Sequence, residues 1–181
     1  IRVTVLLNGD VEGGFAVDAN TTGLLATGGE DYTEVTSQTL SFTGTVNETQ
    51  SFDITVSGDT KVEQDETLTV TLNNLVVGEV EAADIDITDP ATVTIVNDDA
   101  TTVTIADVSE AENQDGVIQV TILLNGDVEG GFIVDANTTG VLASAGEDYE
   151  EVTSQSLTFT GTANETQTFD ITVSGDTKVE Q

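Results

Sequence analysis

The chain has no cysteine, histidine, methionine or tryptophan, a single proline, and 3 Lys+Arg against 34 Asp+Glu in 181 residues. Each shortage closes a class of chemistry. Without Cys and His there is no Cys/His zinc site, no thiol nucleophile, no Ser-His-Asp triad and no His, Cys or Met haem ligand. The formal net charge is −31. A polyanion of this kind repels phosphate, so neither nucleic acid nor an anionic lipid surface is an expected partner. No apolar run reaches the about 18 residues of a membrane span, and no basic-plus-apolar start reads as a signal peptide, so this segment is not expected to insert in a membrane. Such charge raises the question of disorder. Against it stands a 37% hydrophobic content, rich in Val, Ile and Leu and accompanied by abundant Thr, which points to a folded β protein.

What the chain does have is an internal repeat, and it sets the organisation. Residues 1–64 recur as 118–181, an offset of 117, with 11 differences in 64 aligned positions. Most exchanges keep their class, such as Val5/Ile122, Leu24/Val141 and Thr39/Ser156, as strand positions would require. The stretch 65–117 completes one period. Thr102-Val-Thr-Ile-Ala106 reads as a first strand following the stop Asn97-Asp98-Asp99. One repeat is therefore expected over 1–99, lacking its first strand. A second is expected over 100–181, lacking its C-terminal strands. The chain reads as a window on a longer tandem array.

Period-2 alternation marks the strands. It runs through Ile1, Val3 and Val5, then Phe15 and Val17 after Gly13-Gly14, Leu40 and Phe42, and Phe52, Ile54 and Val56. Leu68, Val70 and Leu72 follow, and then Val93 and Ile95. Turn residues at Asn8-Gly9-Asp10, Gly44, Asn47 and Ser57-Gly58-Asp59 punctuate the runs. No segment carries a 3.6-residue period. About seven strands per period, each with one apolar face, predict an all-β, two-sheet sandwich. The segment from Asn73 to Pro90 reads as a long acidic loop.

Carboxylates collect in four places. One is Gly29-Glu30-Asp31-Tyr32 with Glu34, repeated as Gly146-Glu147-Asp148-Tyr149 with Glu150 and Glu151. Another is Asp59 with Glu63, Asp65 and Glu66. The third is Asn97-Asp98-Asp99, and the fourth is Ser109-Glu110-Ala111-Glu112 with Asp115. Calcium takes six to eight oxygens, and carboxylates on loops at strand ends can supply them. Simple solubility accounts for any one acidic cluster equally well, and no EF-hand loop is present. Paired carboxylates could also hydrolyse glycosides. Aromatic residues amount to only 4%, however, leaving few platforms for a sugar, and near-duplicate copies fit a spacer better than an enzyme. No catalytic residue is assigned. Tyr32 and Tyr149 are expected to pack their rings beneath a turn. Asn20, Asn47, Asn137 and Asn164 match the glycosylation acceptor triplet, which matters only in a eukaryotic secretory route.

Several of these motifs, in order and spacing, resemble the Calx-β domain of sodium–calcium exchangers, an integrin subunit and large bacterial surface proteins. They are Val108-Ser-Glu-Ala-Glu-Asn113, Ala145-Gly-Glu-Asp-Tyr149, Leu157-Thr-Phe159, Phe52-Asp-Ile-Thr-Val56 leading to Asp59…Glu66, Leu68-Thr-Val-Thr-Leu72 and Ala91…Asp99. The resemblance implies tandem immunoglobulin-like Calx-β sandwiches of about seven strands each, with Ca²⁺ held at one end. The ligands it carries over are Glu110 or Glu112, Asp31 and Asp148, and Asp98 and Asp99, with Glu34 and Glu151 as further candidates. Two departures predict a weaker site. Gly23 and Gly140 stand where exchanger domains have an Asp ligand, and Asn97 opens the terminal acidic triplet with a neutral oxygen.

The expected function is a structural stalk repeat of a long, secreted, cell-surface adhesin or filament, stiffened by calcium at the domain ends. Its partners would be neighbouring repeats of the same chain. Near-identical copies extend a rod incrementally, the junction Asp99-Ala-Thr-Thr is short, and the charge discourages lateral clumping. A calcium-sensing regulatory module, a sugar-binding module and a strand-complemented assembly subunit are the rivals.

Overall fold

The computed structural model describes residues 1–110 and 116–175. Clustering of contacts divides the chain into two compact units, Ile1–Asp59 with Gln64–Asn97, and Thr60–Glu63 with Asp98–Gln181. Among the described residues every regular element is a strand except one 3-10 turn, Ala82–Asp84. The expected all-β architecture is borne out. Among the described residues no helix is long and apolar enough to cross a membrane.

In the first unit β1 (Arg2–Leu6) pairs antiparallel with β4 (Thr49–Asp53), Arg2 opposite Asp53 and Leu6 opposite Thr49. The second sheet has the order β3 (Gln38–Phe42), β2 (Phe15–Gly23), β5 (Glu66–Val77), β6 (Ala91–Ile95), all antiparallel. The inward-facing sets are those that alternation marks out. Val17, Ala19, Leu40, Phe42, Phe52, Ile54, Leu68 and Val70 form the buried core with Tyr32, and Val3 and Val5 pack against it. The Phe15 and Phe42 rings, opposite each other across β2 and β3, stack at 4.8 Å.

The second unit repeats this plan with β8 (Gly116–Leu124) between β7 (Val103–Ile105) and β11 (Thr166–Val173), and with β9 (Phe132–Ala136) paired to β10 (Gln155–Phe159). Phe132 and Phe159 reproduce the aromatic stack at 5.1 Å. Within this unit the segment 60–63 is held by Val62, which exchanges backbone hydrogen bonds with Asp127 and Glu129. Aligning the units at the 117 offset gives seven strand positions per period: β7, β1/β8, β2/β9, β3/β10, β4/β11, β5 and β6.

One expectation needs correcting. The stretch from Asn73 is not loop until Val77, because β5 continues and pairs Val76 with Ala16 and Val77 with Phe15. An extra residue on β5 between the Ala16 and Asp18 pairings breaks the alternation that would have revealed the strand. Asn74 takes a positive φ of 52° there, and its Nδ2 donates to Asp18 Oδ2 at 3.0 Å. The other Asp18 oxygen accepts the Thr39 hydroxyl at 2.7 Å. These bonds, Asn74 first, hold the Asp18 carboxyl below its ordinary pKa.

The crossing from one sheet to the other, between β3 and β4, uses another carboxylate that sequence reasoning did not single out. Glu48 accepts the Thr43 and Gly44 N–H groups and the Thr43 hydroxyl, with its closest oxygen 2.8 Å from Thr43 N. Glu165 does the same for Thr160 and Gly161 in the second unit. Both carboxyls sit below their usual pKa, chiefly through the backbone bond from Thr43 or Thr160.

Candidate metal centre

Asp31 sits on a tight turn whose geometry is fixed from both sides. Within the turn, Glu30 N and Asp31 N donate to Thr27 O, and Gly29 N donates to Tyr32 O at 2.8 Å. Gly29 takes a φ of 88°, a left-handed conformation that glycine adopts without cost. Outside the turn, Ser57 N donates to Asp31 O at 2.8 Å and Thr33 N to Thr55 O at 2.9 Å, tying it to the end of the β4 segment. One side-chain oxygen, Oδ2, accepts Thr27 N–H at 2.5 Å. This orients the carboxylate before any ligand arrives.

The anchor beneath the turn is Tyr32, whose side chain is 0% exposed. Its hydroxyl is buried without a hydrogen-bond partner, and so is that of Tyr149 in the second unit. The ring thus serves as packing, as expected, with its oxygen aimed at Gly23. A Cβ on residue 23 would collide with Ala26 O, which explains why glycine stands there.

Beside the turn, β5 begins at Glu66. One carboxylate oxygen each from Asp31 and Glu66 lie within 4.8 Å of one another, both residues being half-buried. Two oxygens bound to one calcium ion at 2.3–2.6 Å can be at most about 5 Å apart, so this spacing suits a shared cation. The donor set is all hard oxygen, as Ca²⁺ requires and as softer metals do not prefer. Nearby, Asp65 is committed to structure, its Oδ1 accepting Asn97 N–H at 3.0 Å.

Of the residues expected to bind metal, the gathered group contains Asp31 alone. Glu34 is exposed, and its side chain lies against Gly28, where any Cβ would displace it. Asp98 is exposed and Asp99 half-buried in the segment after β6. Glu110 is exposed after β7, and Glu112 lies outside the described residues. Asp148 repeats the Asp31 turn closely. Its Oδ2 accepts Ser144 N–H at 2.5 Å and its backbone oxygen accepts Ser174 N–H at 2.9 Å. The counterpart of Glu66 in that repeat would fall past residue 181. Glu151 is exposed.

Glu66 is the residue beside Asp31 that ligand assignment from sequence left out. A signal for it existed. It belongs to the acidic cluster Asp59, Glu63, Asp65, Glu66, and it immediately precedes the alternating run of β5. Which of the four turns toward Asp31 depends on how the chain enters β5, and that is settled only in three dimensions.

An antiparallel sandwich unit, built twice, defines an immunoglobulin-like β-repeat. The family model for the Calx-beta domain matches residues 1–107 and again 97–181, and the chain belongs to that family, with two copies. Among solved structures, the crystal structure of CBD12 from CALX1.2 matches at 24% identity, over 96% of this chain and 68% of that one, with a TM-score of 0.47. That of the calcium binding domain CBD12 of CALX1.1 matches at 25% identity over 97% and 69%, with a TM-score of 0.47. The apo-form Calx CBD1 domain matches at 30% identity over 55% of this chain and 82% of its own, with a TM-score of 0.46. A search of curated proteins gives no match.

Proposed function

We propose that the chain is a pair of adjoining repeats, meeting near residues 99 and 100, from the stalk of a longer secreted surface protein, and that Ca²⁺ stiffens each complete repeat. The observation that carries the calcium part is the approach of the Asp31 and Glu66 oxygens to within 4.8 Å beside a turn already held by backbone hydrogen bonds. Two like charges so close repel one another, and a divalent cation both removes that repulsion and fastens the Asp31 turn to the start of β5. The stalk part rests on near-duplicate tandem copies, which lengthen a rod without adding a new activity, and on the charge of −31, which keeps neighbouring rods apart. The calcium-binding domains among the structural matches agree with the reading.

Thermal unfolding in chelator and then in millimolar Ca²⁺ tests it. At 100 times the dissociation constant the ion adds about 2.7 kcal/mol, a plain rise in melting temperature. Asp31→Asn and Glu66→Gln should each abolish most of that rise, while Asp98→Asn should leave it. No rise in the unaltered chain would overturn the calcium assignment and leave an acidic spacer stiffened by packing alone. Small-angle scattering on the same samples separates a stalk, whose particle straightens or keeps its length, from a sensor, whose units rearrange.

A further inference from the structure

In a chain of net charge −31, the longest uncharged runs are two stretches of 13 residues at the same place in each repeat. Val35-Thr-Ser-Gln-Thr-Leu-Ser-Phe-Thr-Gly-Thr-Val-Asn47 recurs as Val152-Thr-Ser-Gln-Ser-Leu-Thr-Phe-Thr-Gly-Thr-Ala-Asn164. Each run contains a strand at the edge of its sheet. β3 is bonded to β2 and β10 to β9, and among the described residues neither has a strand on its other side. The edge is open in the unit that contains β5 and β6 and equally in the unit that contains β7. Sheet edges are ordinarily guarded by charge or proline. β4 ends on Asp53, and β6 follows Asp89-Pro90. β3 and β10 carry neither guard.

The register shows which backbone groups the edge offers. Thr21 N donates to Val35 O at 2.9 Å, so the alternate β2 residues Ala19 and Val17 also address β3, and their partners Gln38 and Leu40 return those bonds. Thr39 and Ser41 therefore direct their N–H and C=O groups to the open side. Thr138 N donates to Val152 O at 2.9 Å in the same way, which turns Ser156 and Thr158 outward on β10. All four residues are exposed, while Leu40, Phe42, Leu157 and Phe159 are buried. The nearest carboxylates are engaged elsewhere. Asp18, one strand in, accepts Thr39 Oγ1 at 2.7 Å and Asn74 Nδ2 at 3.0 Å. Glu48 is folded back onto the Thr43 and Gly44 N–H groups.

We propose that the β3 and β10 edges are the surface through which copies of this chain associate laterally, strand to strand, in one continuous antiparallel sheet. A second copy is the partner this edge fits, for two reasons. First, a strand paired antiparallel with its own copy is self-complementary about a twofold axis. With that axis through Leu40, Thr39 faces Ser41 of the second copy and Ser41 faces its Thr39. Each of those pairs exchanges both backbone bonds, while the two Leu40 residues keep theirs to β2. Second, two polyanions approach each other most easily where neither presents charge, and these runs are where the sequence removes it. The charge on the rest of the surface still holds copies apart at low ionic strength, so the contact forms once salt screens that repulsion. Association of this kind requires the folded repeats and neither calcium nor a stalk.

The chain has no cysteine, so introduced thiols report the register. Thr39→Cys and Ser41→Cys chains are mixed in equal amounts, oxidised gently and resolved by mass spectrometry. Facing positions lie within disulfide reach, whereas two copies of one variant hold their thiols a diagonal apart, beyond the about 7 Å limit. Random collision gives as much mixed product as the two same-variant products together. The proposal expects the mixed product to exceed that sum, and the excess to grow from about 20 mM to about 0.5 M NaCl, as the screening length shortens from about 20 Å to about 4 Å. A random mixture at both salt concentrations, an excess of same-variant product, or an excess that salt abolishes would each overturn it. Sedimentation velocity then separates backbone from side-chain contact. Ser41→Pro with Thr158→Pro removes outward N–H groups without touching the ladder to β2 or β9, and should leave a monomer in high salt with far-UV circular dichroism unchanged. Ser41→Ala with Thr158→Ala keeps those N–H groups and should associate as the unaltered chain does. An unaltered chain that stays monomeric in high salt, or an alanine pair that loses association, would overturn pairing through the strand edge.

Discussion

The two repeats differ at 11 of 64 aligned positions, yet they bury different residues. In the first unit β2 lies between β3 and β5, and Val17 and Ala19 are fully buried. In the second, among the described residues, β9 pairs with β10 alone, and the corresponding Val134 and Ala136 are half-buried. The loop after β2 shows the same contrast. Leu24, Leu25 and Ala26 all donate their N–H groups to Thr67 O at 3.0 Å, leaving the two leucines 62% and 64% exposed. Val141 and Leu142, at the same place in the second unit, are 94% and 92% exposed and border an open groove of about 710 Å³ over Val120, Tyr149 and Phe169. Alternation specifies which face is apolar, while the partner strand determines whether that face leaves water.

The largest effect that can break this comparison comes from truncating one matched core position in each unit. Ile54 is 1% exposed and its counterpart Ile171 is half-buried. Ile54→Ala should cost about 3 kcal/mol, in the range for a filled core, and Ile171→Ala about half of that. Denaturant unfolding, with hydrogen exchange to separate the units, measures both, and equal costs would contradict the difference in packing. Positions governed by local geometry should behave alike instead. Gly44 and Gly161 have φ of 96° and 98°, and a Cβ on either would strike a backbone oxygen, that of Val11 or Val128. Alanine at each should destabilise its own unit by a similar amount, about 2 kcal/mol.

The smallest effect is at acid pH. Glu48 and Glu165 have folded-state pKa values below their unfolded ones. Their stabilising contribution is therefore complete above the ordinary carboxylate range and is lost as pH falls through the lowered values. Glu48→Gln and Glu165→Gln should flatten the acid limb of the stability curve to the same small extent. A steeper limb for one than for the other would show that the two crossovers are not equivalent.

Much of the fold is legible in the chain before it folds. Alternation at Leu40 and Phe42, Phe52 and Ile54, and Leu68 and Val70 marks the inward set, because successive strand residues face opposite sides. The far end of β5 was not legible, because the extra residue near Asn74 breaks the period that alternation depends on. Of the metal centre, Asp31 was recognisable from its Gly-Glu-Asp-Tyr turn. Glu66 was visible as an acid but not as a partner of Asp31, since it lies 35 residues away along the chain. Glu48 resembles any exposed acid in sequence, and its hydrogen bonds from Thr43 and Gly44 arise only when the chain crosses between sheets.

By itself the sequence determined the repeat, its period, the all-β class and the apolar face of each strand, because these follow from side-chain order and the two-residue pleat. Tertiary structure alone decided which carboxylate meets Asp31, which acid holds the crossing between the sheets, and where β5 takes in its extra residue. Each of those outcomes depends on a partner segment brought close by folding, and a side chain's environment is made by its neighbours in space.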